Sequence, residues 1–111
     1  MALKTDDPQP PVCFGIESTR TVQGIMFYLP SRRRFIPYSW LLHVECNRDE
    51  TELLFHYTHA VVTVTGRNLA YVHEAIIRFY LYTLRETPSS ALARSTETTI
   101  TRIEITETAA D

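Results

Sequence analysis

From Ser39 to Thr65 the chain alternates apolar and polar side chains through three short successive runs, and their spacing constrains the fold more than any other feature. Trp40, Leu42, Val44 and Cys46 share one face of 39–46, while Leu53, Phe55 and Tyr57 share one face of 52–58. Pairing these runs around Asn47-Arg48-Asp49-Glu50 places Trp40 opposite Tyr57, Leu42 opposite Phe55 and Val44 opposite Leu53. A turn at Thr58-His59 then sets Tyr57 opposite Ala60, Phe55 opposite Val62 and Leu53 opposite Val64, which carries the apolar face across a third strand. A slip of one residue would turn the apolar set toward water, so the pattern specifies its own register.

The flanking segments complete the expected fold. Val22 to Leu29 reads as a strand with Ile25, Phe27 and Leu29 on one side, ending at Pro30. Ser31 to Tyr38 lies between two prolines and reads as an exposed basic and aromatic loop. Gly66-Arg67-Asn68 closes the third run and opens a helix from Leu69 to Glu86, with Asn68 as the capping residue. Its polar stripe is Glu74, Arg78 and Arg85. Residues 97–106 alternate as a half-exposed edge strand with Thr101, Ile103 and Ile105 on one face.

The expected class is therefore α+β: an antiparallel sheet of four to five strands in β-β-β-β-α-β order, with one long helix packed on one face. The predicted core is Ile25, Phe27, Leu42, Val44, Leu53, Phe55, Val62, Val64, Leu69, Val72, Ile76, Phe79, Tyr80 and Ile103. Residues 1–20, with Asp6-Asp7-Pro8-Gln9-Pro10-Pro11, read as a disordered tail, and 21–108 as a single domain. Leu41, Leu54 and Val61 on the other sheet face suggest a second layer.

Composition removes whole classes of chemistry. The single lysine, Lys4, sits in the Pro-rich start, so Schiff-base catalysis and a phosphate-binding lysine both lack their central residue. Three glycines, Gly15, Gly24 and Gly66, cannot build a phosphate-cradling loop. Cys13 and Cys46 stand in no C-x-x-C pattern, and no disulfide framework is expected. The N-terminal stretch lacks the apolar run of a signal peptide, and no span is long enough for a bilayer, so the reading is a cytoplasmic protein without membrane contact.

Among candidate sites, His43 and His56 fall on the non-core face as diagonal neighbours, with Glu45 two residues along, an arrangement able to hold a divalent metal. Surface histidines explain them as simply, so no metal or cofactor is predicted. His56-x-x-His59 points to opposite strand faces, and His73 reads as a buried histidine of the helix. Cys46 faces the core, away from His43, and Glu45, Asp49, Glu50 and Glu52 read as a solvated turn, so no catalytic residue is assigned.

Arg32-Arg33-Arg34-Phe35 combines guanidinium groups for phosphates with a ring for base stacking, although three charges in a chain of net charge −2 imply only weak nucleic-acid binding. Tyr71, Leu81 and Tyr82 flank the helix's polar stripe and read as an exposed apolar edge for a protein partner. The leading expectation is a non-enzymatic interaction module that forms a homo-oligomer or binds a protein. The alternatives are a weak nucleic-acid binder and a small metal-dependent enzyme.

The order Ile36-Pro37-Tyr38, a hairpin, then His59-Ala60-Val61-Val62-Thr63-Val64-Thr65-Gly66-Arg67-Asn68-Leu69 entering a helix resembles small uncharacterised bacterial proteins. The resemblance covers about residues 22–86 through the junction V-x-V-x-G-x-N-L, and it implies a bacterial setting without a mechanism.

Overall fold

The computed structural model describes residues 13–17, 19–87 and 98–108. Its strands are β1 (Phe14–Ile16), β2 (Gly24–Tyr28), β3 (Arg33–Pro37), β4 (Leu41–Cys46), β5 (Glu52–Tyr57), β6 (Ala60–Arg67), β7 (Leu81–Arg85) and β8 (Thr99–Glu107). A 3-10 turn, Tyr38–Trp40, joins β3 to β4, and the helix α1 spans Ala70–Ile77. The class is α+β, but the strands form two four-stranded sheets, β1-β7-β2-β3 and β4-β5-β6-β8, where the pattern predicted one. Among the described residues only the β2–β7 pair is parallel. Among the described residues no helix is long and apolar enough to cross a membrane.

The β5–β6 register is the one the alternation specifies, with Leu53 opposite Val64 and Phe55 opposite Val62. All four side chains are fully buried. The β4–β5 hairpin differs. Val44 faces Phe55 and Cys46 faces Leu53, two positions from the expected pairing. The loop is longer because the Asn47 side-chain oxygen accepts the Thr51 and Glu52 amides at 2.8 and 3.0 Å, with Glu50 in the left-handed region at φ 61°. An irregularity between Leu41 and His43 then turns Leu41 toward the core and leaves Leu42 66% exposed, so Leu42 and Trp40 leave the predicted apolar face.

The helix is much shorter than the 69–86 expected. It stops where Phe79 takes φ 62° and the Phe79 and Tyr80 amides donate back to Ile76 and Ala75. The following Leu-Tyr-Thr-Leu-Arg run is rich in residues that favour extended backbone, and it inserts as β7 between β1 and β2. Phe79, a predicted core residue, is consequently exposed, and Tyr80 is half-buried, as is Val44. Asn68 does not cap α1: it lies at φ 55°, and the cap position belongs to Leu69, whose amide donates to Glu50 O at 3.0 Å.

Two segments expected to be irregular are strands. Arg33–Pro37 is no loop but an edge strand beside β2, started by a tight turn in which the Leu29 amide donates to Arg32 O at 2.7 Å. Phe14–Ile16, placed in the tail by composition, pairs with β7. Residues 1–12 and 18 of that tail lie outside the described residues. In β8, Ile103 and Ile105 face Val64 and Val62, while a second irregularity turns Ile100 inward and Thr101 outward.

The sheets stack through Phe27, whose ring meets Phe55 edge-on at 5.6 Å and Tyr57 at 6.4 Å. Val72, Ala75 and Ile76 turn the buried side of α1 inward, and the helix lies against β4 and β7. Polar ties join the layers as well: the Thr87 amide donates to Ile100 O at 2.7 Å, and the Ile100 amide to Thr87 Oγ1 at 2.8 Å.

Two buried phenols differ in how they are satisfied. The Tyr38 hydroxyl donates to Leu81 O at 2.7 Å, whereas the Tyr57 hydroxyl is buried without a partner among the described residues. Burial pushes both pKa values above the ordinary tyrosine range. Tyr38→Phe is expected to cost about 1 kcal/mol, and Tyr57→Phe to be neutral or stabilising by up to about 1 kcal/mol, as read from urea midpoints at unchanged slope. Because both groups hold their protons to higher pH when folded, their contribution is complete below about pH 10 and is lost as pH rises above it. The alkaline loss of stability should shrink in each variant.

Candidate functional site

The outward face of the first sheet is assembled by the pleat. In β2, Ile25 and Phe27 point inward and are fully buried, so Gly24, Met26 and Tyr28 point outward. Pairing sets Tyr28 between Arg33 of β3 and Arg85 of β7, and Met26 between Phe35 and Thr83. The Arg85 guanidinium carbon lies 4.3 Å from the Tyr28 ring centroid and that of Arg33 lies 5.9 Å from it. Such cation–ring contacts contribute about 0.5–1 kcal/mol each at an exposed site. Among the described residues neither arginine forms an ion pair.

Two glycines let aromatic rings settle onto the same face. A Cβ on Gly24 would stand 2.6 Å from Cζ of Phe35, and one on Gly15 would stand 2.9 Å from Cζ of Tyr82. Phe35 and Tyr82 thus lean over bare backbone while remaining 49% and 43% exposed. The row Arg33–Tyr28–Arg85 spans about 10 Å across three strands, with a ring at Phe35 beside it and another at Tyr82.

Charge is divided between the sheets. The strands of the first carry Arg33, Arg34 and Arg85 and no carboxylate, whereas those of the second carry Glu45, Glu52, Glu104 and Glu107 against Arg67 and Arg102. The overall charge of −2 therefore conceals one basic face. Arg34 points away from that face and pairs with Glu107 of β8, and this hydrogen bond and charge hold the Glu107 carboxyl below its usual pKa.

The sequence-predicted residues are redistributed. Of Arg32, Arg33, Arg34 and Phe35, only Arg33 and Phe35 share the outward face, because successive strand residues alternate. Arg32 lies exposed just before β3. Tyr28, Tyr82 and Arg85 complete the face and were missed: Tyr28 had no expected partner strand, and the other two fall in the run read as helix. Tyr71, Leu81 and Tyr82 do not form the expected helix edge. Tyr71 is 73% exposed on α1, but Leu81 is fully buried in β7, where the irregularity opposite Gly15 and Ile16 turns it inward and Tyr82 outward.

His43, His56 and Glu45 share the outer face of the second sheet. His59 packs against Trp40 at 4.7 Å between ring centroids, and His73 is half-buried on α1 instead of buried. Burial, followed by the charge of Glu50, pushes the Cys46 thiol pKa up, opposite to what a nucleophilic cysteine needs.

Against known proteins, no family model matches the chain, and no curated protein or solved structure matches it either.

The packing around Gly24 is open to a direct check. In Gly24→Ala the added carbon would also stand 2.6 Å from Ile36 O and 2.7 Å from Pro37 Cα. The expected cost is about 1–3 kcal/mol in denaturant unfolding. An unchanged midpoint would show that this approach is not tight.

Proposed function

We propose that the protein binds single-stranded nucleic acid across the outward face of its first sheet, with modest affinity. The observation that carries this reading is the row Arg33–Tyr28–Arg85, two guanidinium groups flanking one ring on strands that hold no carboxylate. Guanidinium groups give phosphates paired donors, and exposed rings accept bases of any sequence by stacking. Phe35 and Tyr82 supply the further rings, and Arg32 at the start of β3 supplies a third positive charge. Arg33 and Arg85 exchange a ring contact for a phosphate contact, which costs them little. The alternative of self-association through Tyr71, Leu81 and Tyr82 loses its connecting residue, since Leu81 lies in the core.

Three phosphate contacts imply a slope of about −2 in log affinity against log salt for a single strand. Fluorescence anisotropy with a labelled oligonucleotide over a salt series measures it. Replacing Arg33 and Arg85 by alanine should weaken binding and flatten the slope by about 1.4, two contacts' worth. Absence of salt-dependent binding in the unaltered protein, or a slope untouched by the double substitution, sinks the proposal.

A further inference from the structure

The other outward face, on the second sheet, carries a separate cluster. The longer loop after Cys46 sets the β4–β5 register so that His43 stands directly opposite His56. Their rings stack at 4.2 Å between centroids with planes 19° apart. Glu45, two residues along β4, projects on the same side, and its Oε2 lies 3.3 Å from His43 Nε2 and 3.8 Å from His56 Nε2. One ligand atom from each of the three residues fits within 4.8 Å of the others.

These separations suit one ion. Bonds of about 2.0–2.1 Å to imidazole nitrogen and about 2.0–2.2 Å to carboxylate oxygen in a tetrahedral arrangement put neighbouring ligand atoms about 3.3–3.5 Å apart. The His43–Glu45 distance already meets that value; because each imidazole binds a metal through a lone pair in its ring plane, one ring must turn out of the stack for both to reach the same ion. A second observation points the same way. His56 Nε2 is shielded from solvent and has no hydrogen-bond partner among the described residues. A shielded, unmatched ring nitrogen is unfavourable, and a metal bond satisfies it. The outer side of the cluster is open, with the His43 and Glu45 side chains 55% and 59% exposed.

We propose that His43, His56 and Glu45 form a three-ligand site for a divalent transition metal of the zinc class, with a fourth position open to solvent. Imidazole nitrogens favour zinc, nickel and copper, whereas magnesium and calcium seek all-oxygen sites. The site is independent of the nucleic-acid reading, because its residues belong to the other sheet.

The test uses the full chain freed of metal with a chelator and titrated with Zn(II) by calorimetry and with Co(II) by visible absorption. One equivalent of Zn(II) should bind, and Co(II) should give the intense bands of a tetrahedral ion. His56→Ala and Glu45→Gln should each weaken binding by more than the roughly 10–100-fold typical of losing an outer-shell partner. His59→Ala, on the neighbouring turn, should bind as before. Nickel-induced broadening of histidine ring signals in the unaltered protein reads the site without any substitution and should single out His43 and His56. Failure to bind stoichiometrically, binding that survives His43→Ala with His56→Ala, or broadening centred on His59 or His73 would each overturn the assignment.

Discussion

Everything in this molecule hangs on one face-to-face contact, in which Phe27 of the first sheet sets its ring edge-on against Phe55 and close to Tyr57 of the second. A small domain has little apolar surface to spare, so two thin sheets are stable only when each turns its apolar side to the other. That demand uses Ile25, Phe27 and Leu84 from one layer and Leu53, Phe55, Val62 and Val64 from the other, all fully buried. It also leaves two outer faces free to differ. One presents arginines and rings and the other histidines and glutamates, and neither has to contribute to the core.

How far the sequence could be read follows from which periods compete. Residues 52–65 carry their large apolar set Leu53, Phe55, Tyr57, Val62 and Val64 at alternate positions and turn in two residues, and there the deduced pairing matches the observed one. Residues 79–84 are apolar or aromatic at nearly every position, so a helical arc and a strand fit them equally well. The backbone at Phe79 decides between the two by leaving the helical region, and a sequence pattern does not show that. The same misreading concealed the second sheet, since β7 is the strand that joins β1 to β2. Arg33–Pro37 escaped notice because flanking prolines usually mark loops. Here Pro37 ends an edge strand, a place where a missing amide is tolerated.

The surface groups were legible as ingredients but not as arrangements. Three consecutive arginines announce positive charge, yet the pleat sends Arg34 to Glu107 and leaves Arg33 with Tyr28. Arg85 joins them from 52 positions further along the chain than Arg33, which no local reading links. His43, Glu45 and His56 were placed correctly on one face by parity alone. Their direct opposition depends on a loop two residues longer than the simplest hairpin, set by the Asn47 side chain, while the bulge at Leu42 beyond them re-aims Leu41. Irregularities of this kind re-aim side chains, and they leave no periodic trace.

The position of β7 has a kinetic consequence. The second sheet grows largely by neighbours in sequence, β4 to β5 to β6, each joined by a short turn. The first sheet cannot close that way, because Leu84 must find both Phe14 and Phe27, roughly 70 and 57 residues earlier in the chain. Closing such long loops before any contact rewards them is slow. During synthesis the β4–β6 meander can therefore organise first, while β1, β2 and β3 emerge early and wait, with open edges, for the strand that unites them. The chain's exposure to mispairing is thus concentrated in its first third, in the interval before β7 leaves the ribosome.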